Sequence, residues 1–131
     1  MSQIPRPRRA LVVDDSFAVR RYHAAVLGQA GLAADLAEDG AAGLEQALAR
    51  SYDAFLIDVN MPRMDGYTLV RQLREHGITA PILMVSTESG RDRELALAAG
   101  ADAYLLKPLS YEALVGGLGS TASEPGGQST E

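Results

Sequence analysis

The stretch Ala54-Phe55-Leu56-Ile57-Asp58, followed at once by Val59-Asn60-Met61-Pro62, decides how this chain is read. Residues 54–57 are an unbroken apolar run, the pattern of a strand buried on both faces, although so short a run also fits a helix. The run ends in an aspartate, a residue seldom buried unless paired or metal-bound. Met-Pro and then Asp65-Gly66 follow, so regular structure must stop there. In open α/β sheets the carboxyl end of a buried strand is where ligands bind. Taken alone, Asp58 is more simply a turn-capping aspartate; the other strand ends must decide.

Composition narrows the field. A chain of 131 residues with 47% hydrophobic residues is one globular domain. A net charge of −5 argues against direct contact with nucleic acid, which needs a basic surface. The chain has no cysteine, which excludes disulfides, thiolate metal sites and thiol catalysis. No apolar run approaches the roughly 18 residues of a membrane span. Arg6, Arg8 and Arg9 lie among prolines without an apolar core, so residues 1–9 read as a flexible basic leader and not a secretory signal. The cytoplasm is the expected compartment.

Strands and helices alternate. Residues 10–13 form a strand ending in Asp14-Asp15. Ser16 caps a helix whose inward positions are Val19, Tyr22, Val26, Leu27 and Ala30, stopped by Gly31. A weak strand spans 32–37. A helix over 40–50 turns Ala41, Leu44, Ala47 and Leu48 to one face. After the Asp58 strand, Asp65 caps a helix over 66–75 with Leu69, Val70 and Leu73 inward. A strand over 81–85 ends at Ser86-Thr87-Glu88, a helix spans 91–99, and a strand over 103–106 ends at Lys107-Pro108. Ser110 caps a last helix, which Gly116, Gly117 and Gly119 weaken by about 1 kcal/mol each, so fraying is expected near Leu118. Residues 120–131 read as a disordered tail. Alternation of this kind predicts a parallel sheet with helices on both faces.

In a parallel sheet all strand ends share one edge. Asp14, Asp15, Asp58, Ser86 and Lys107 therefore converge. Three crowded carboxylates repel and hold their protons more tightly. A hard divalent cation relieves that, and all-oxygen ligation with retained waters describes Mg²⁺. The main-chain carbonyl of Asn60 is placed to join it. Asp58 then becomes a nucleophile toward phosphorus, with Lys107 and Ser86 ready to bind the product.

The segments Leu11-Val12-Val13-Asp14-Asp15-Ser16, Asp58-Val59-Asn60-Met61-Pro62-Arg63-Met64-Asp65-Gly66 and Lys107-Pro108 resemble the signature of response-regulator receiver domains, over residues 9–119. The short chain is most similar to single-domain, CheY-like proteins of the chemotaxis type. That resemblance implies a flavodoxin-like, doubly wound five-stranded sheet of order 2-1-3-4-5, spanning a domain of residues 10–119. It makes Asp58 the phosphoacceptor and gives Mg²⁺ to Asp14, Asp15, Asp58 and the Asn60 carbonyl, with Asp14 acting through water. Ser86 matches the switch hydroxyl, Tyr104 the aromatic that follows it inward, and Lys107 the phosphate-binding lysine. The Lys107–Pro108 bond is expected to be cis. Asn60 and Glu88 match positions that tune phosphoryl lifetime, and Thr87 is bulkier than the residues usual at its place.

The resemblance further implies a histidine kinase or histidine phosphotransfer protein as donor. It implies a downstream protein target on the face of helix four, strand five and helix five, and a monomer or a phosphorylation-dependent dimer. A stand-alone regulator fits the length; a phosphate sink or relay intermediate is the alternative. A Mg²⁺-dependent aspartyl-phosphate phosphatase is disfavoured because Asn60 stands where such enzymes carry their second aspartate. A flavin module is disfavoured because Asp14 and Asp15 would repel its phosphate. His23 and His76 read as core or solvated histidines, not as phosphodonors.

Overall fold

The computed structural model describes residues 8–87 and 91–121, with the backbone alone at 91, 120 and 121. Its elements run β1 (Arg9–Val13), α1 (Phe17–Gln29), β2 (Ala33–Ala37), α2 (Gly40–Ala49), β3 (Ala54–Asp58), α3 (Gly66–Glu75), β4 (Ile82–Ser86), α4 (Arg91–Ala99), β5 (Ala103–Leu106) and α5 (Tyr111–Thr121). The strands form one parallel sheet in the order β2-β1-β3-β4-β5. This is the flavodoxin-like order that the resemblance implied.

Side chains alternate across each strand, so the apolar runs feed two cores. Leu11, Val13, Phe55, Ile57, Ile82 and Met84 meet Leu69, Val70 and Leu73 of α3 and Ala96 and Ala99 of α4. Ala10, Val12, Leu56, Leu83 and Val85 meet Val26 and Leu27 of α1 and Leu114 of α5. Strands buried on both faces need apolar residues at every position, which is why residues 54–57 show no alternation.

Several boundaries and faces differ from the sequence reading. Arg9 opens β1 and its guanidinium bonds Asp35 of β2 at 2.7 Å, so it belongs to the sheet and not to a leader. On α2 the buried residues are Gly40, Gly43 and Ala47, while Ala41 and Leu48 are exposed. A Cβ on Gly43 would meet Val13 at 2.9 Å, so close packing against β1 selects the glycine side of this helix over its bulkier leucine. Tyr22 is 46% exposed instead of buried. Helix α5 continues through its glycines to Thr121, past Leu118, because the face carrying Leu114 and Leu118 packs on the sheet whatever the local propensity. Residues 1–7, Glu88 and 122–131, with the expectations attached to them, lie outside the described residues.

Candidate functional site: an acidic cluster under one lysine

Sheet register builds the site. Val13 pairs with Ile57, so the next residues, Asp14 and Asp58, come side by side. Asp58 pairs with Val85, which puts Ser86 one step beyond it on the neighbouring strand. Ser86 in turn pairs with Leu106, so Lys107 follows at the same edge. The predicted convergence is thus a direct result of parallel pairing.

Carboxylate oxygens of Asp14, Asp15 and Asp58 lie within 4.8 Å of one another. Asp14 and Asp58 are buried and Asp15 is exposed. Lys107 Nζ stands 2.9 Å from Asp58 Oδ1 and 3.1 Å from Asp14 Oδ2. Burial, offset in part by this lysine and reinforced by the charges of Asp14 and Asp15, pushes the Asp58 carboxyl above its ordinary range. Burial would lower the Lys107 ammonium, but its hydrogen bonds to Asp58 and Asp14 outweigh that and hold it above its usual value. One lysine among three carboxylates leaves a net negative hollow, and a hard cation fits that donor set.

Asp14 is the most committed of the three. Its Oδ1 accepts from the Ser16 N–H at 2.9 Å, its Oδ2 from Lys107, and its carbonyl from Arg20 at 2.7 Å. Both of its carboxylate oxygens are therefore engaged. Asn60 is exposed in the loop just past Asp58.

Glycine 66 was legible only as a turn signal. A Cβ there would lie 2.2 Å from the Asp58 carbonyl oxygen and 3.0 Å from Val59 Cα. The chain must therefore fold back on the Asp58 backbone at a glycine, and Gly66 N–H donates to Val59 O at 2.9 Å to fix the return. Sequence reasoning also missed Arg63, which adopts a left-handed backbone with φ of 68°. Its guanidinium lies 3.2 Å from Asp39, the buried cap of α2. No local signal marked this ion pair, since its partners lie on separate loops.

The remaining expected residues fall as follows. Ser86 is buried at the end of β4 and its carbonyl accepts from Lys107 N–H at 2.8 Å. Tyr104 is buried in the core on the α4 side. The Lys107–Pro108 bond is cis. Thr87 is exposed and lines an open groove of about 490 Å³ with Ala18, Val19, Tyr22, His23, Lys107 and Pro108. His23 is buried, and His76 is exposed at the end of α3.

Residues 10–118 match the family model described as the response regulator receiver domain. The chain is 43% identical over 110 residues to response regulator MprA of Mycobacterium sp. (strain KMS), covering 83% of this chain and 48% of that protein. It is 44% identical over 108 residues to the MprA of Mycobacterium ulcerans (strain Agy99), covering 82% and 47%. The chain therefore spans about half the length of these curated relatives. Among solved structures it resembles a putative response regulator from Chloroflexus aurantiacus, with TM-score 0.81, 34% identity and coverage of 87% and 96%. It also resembles the Vibrio cholerae chemotaxis protein CheY4, with TM-score 0.78, 35% identity and coverage of 85% and 95%. With the family model matching nearly the whole described chain, this protein belongs to the response regulator receiver domain family.

Proposed function

We propose that Asp58 accepts a phosphoryl group from the phosphohistidine of a histidine kinase or histidine phosphotransfer protein in the cytoplasm. The observation that carries this reading is the meeting of three carboxylates and Lys107 at one sheet edge. An Asp58 oxygen bonds to phosphorus while the phosphorus–nitrogen bond of the donor breaks, its electron pair staying on the imidazole. Asp15, Asp58 and the Asn60 carbonyl would hold Mg²⁺, with Asp14 through water, and the bound cation would supply positive charge for the phosphoryl oxygens. Lys107 then exchanges a carboxylate partner for a phosphoryl oxygen, and Ser86 offers a hydroxyl.

Lys107 already bonds Asp58 and Asp14, so it trades one charge-assisted bond for another. The new bond is the one from Ser86, worth roughly 1.5–3 kcal/mol of the ~5.5 kcal/mol that moves a two-state equilibrium from about 1:99 to 99:1. The message is then read on α4, β5 and α5. Those elements carry Leu95, Leu97, Leu106, Tyr111 and Val115, five of the eight exposed large apolar side chains among the described residues. Such a surface suits a protein target or a phosphorylation-dependent second copy. The similarity to the Vibrio cholerae protein makes chemotaxis one setting for that output.

The test is incubation with Mg²⁺ and acetyl phosphate, followed by intact mass. Wild type is expected to gain one phosphoryl group and Asp58→Ala none. An unmodified wild type, or equal modification of both proteins, would sink the reading.

A further inference from the structure

Helical spacing on α1 turns Tyr22 toward the core, yet 46% of it is exposed. Its hydroxyl is nevertheless engaged. Tyr22 Oη donates to the carbonyl oxygen of Leu109 at 2.5 Å, a contact between residues 87 apart in sequence. The first turn of α5 leans on the next residue instead: Leu114 N–H donates to Ser110 O at 3.0 Å and Ala113 N–H to Ser110 Oγ at 3.0 Å.

Leu109 lies two residues beyond Lys107. At the near end, Lys107 N–H donates to Ser86 O at 2.8 Å, which ties the segment to β4. At the far end, Tyr22 ties it to α1, and the fully buried Leu109 side chain anchors it below. The three-residue segment is thus held between two elements that flank the acidic cluster. A lysine side chain carries about 2 kcal/mol of rotamer entropy, so its ammonium keeps a fixed place only if its backbone does. Here that ammonium stands 2.9 Å from Asp58 and 3.1 Å from Asp14.

We propose that Tyr22 is a positioning residue for Lys107, its hydroxyl holding the Lys107-Pro108-Leu109 segment where the ammonium meets the phosphoryl group on Asp58. This rests on the reading of Asp58 as the phosphoacceptor. The Tyr22 hydroxyl acts through the Leu109 carbonyl.

The variant Tyr22→Phe keeps the ring and removes the hydroxyl. With acetyl phosphate and Mg²⁺, an Asp58 oxygen bonds phosphorus as the phosphorus–oxygen bond to the acetyl group breaks and acetate leaves with the electron pair. That rate is expected to fall about fivefold in Tyr22→Phe, the scale of one hydrogen bond. Lost folding stability alone could also slow a variant, so the same change is made in Lys107→Ala protein and followed over longer incubations. There the expected change is less than about 1.5-fold, because the group being positioned is gone. A Tyr22→Phe rate equal to wild type, or the same slowing in both backgrounds, would overturn the proposal while leaving Asp58 as the acceptor. An unmodified wild type would overturn the acceptor reading and this one with it.

Discussion

Lys107 Nζ bonds Asp58 Oδ1 at 2.9 Å, and the same nitrogen lies 3.1 Å from Asp14 Oδ2. One ammonium thus compensates two buried carboxylates. Removing one partner of a buried pair leaves the other's charge without compensation, at about 3–5 kcal/mol. Lys107→Met is therefore expected to lower unfolding stability by about 3 kcal/mol in metal-free buffer, near the low end because the lysine keeps some exposure. Addition of Mg²⁺ is expected to narrow the deficit. Urea titrations with and without the cation measure both.

Burial, with the charges of Asp14 and Asp15 added, holds the Asp58 carboxyl above its ordinary value despite Lys107. Its ionised form is thus less favourable folded than unfolded. The sign follows: above the folded pKa the native state bears the full penalty, and as pH falls toward the unfolded value the penalty is relieved. Asp58→Asn is expected to raise the urea midpoint at neutral pH without Mg²⁺. Wild type should gain about 1.4 kcal/mol from Mg²⁺ at ten times its dissociation constant, by mass action. Asp58→Asn should gain far less, and thermal melts across a Mg²⁺ series read the difference.

Glycines of this chain divide by what surrounds them. A Cβ on Gly66 would lie 2.2 Å from the Asp58 carbonyl oxygen, whereas Gly116 and Gly119 have nothing within 4 Å. Gly66→Ala is expected to cost about 3 kcal/mol through forced backbone movement and to slow phosphorylation by disturbing Asp58. Gly116→Ala and Gly119→Ala are each expected to stabilise by about 0.4–1 kcal/mol, by restricting the unfolded chain and improving helix propensity. Denaturant midpoints of the three variants test this ordering. Amide exchange protected as far as Gly119 in wild type would support a helix that outlasts its glycines.

His23 is buried on α1, facing the charges of Asp14 and Lys107. Burial lowers its pKa, Asp14 opposes the shift and Lys107 adds to it. The unfolded state therefore binds the proton more readily than the native state. Stability is complete above the unfolded value of about 6.5 and declines as pH falls below it toward the folded value. His23→Leu is expected to remove this slope in the interval just below about pH 6.5. Unfolding midpoints of both proteins through that interval are the check.

Much of the site was legible before any coordinates. Asp14, Asp15, Asp58, Ser86 and Lys107 each follow a short apolar run, and parallel pairing carries such positions to one edge. Val13 against Ile57 and Ser86 against Leu106 are the register contacts that do so. The spacing of apolar residues was less reliable for helix faces. It turned Tyr22, Ala41 and Leu48 inward, but all three are exposed, while Gly43 and His23 are buried in the described structure. Periodicity identifies a helix; which stripe is buried depends on how close the neighbouring element comes, and Val13 beside Gly43 is such a constraint.

The sequence by itself determined the alternation of elements and the strand ends that bear charge, because strand length, caps and polar stops are local properties of the chain. Only the tertiary structure decided that Asp14 has both carboxylate oxygens engaged, that Gly66 must close on the Asp58 carbonyl, that Arg63 meets Asp39, and that Tyr22 reaches Leu109. Those contacts join residues far apart in sequence, and their existence depends on packing distances that no local pattern encodes.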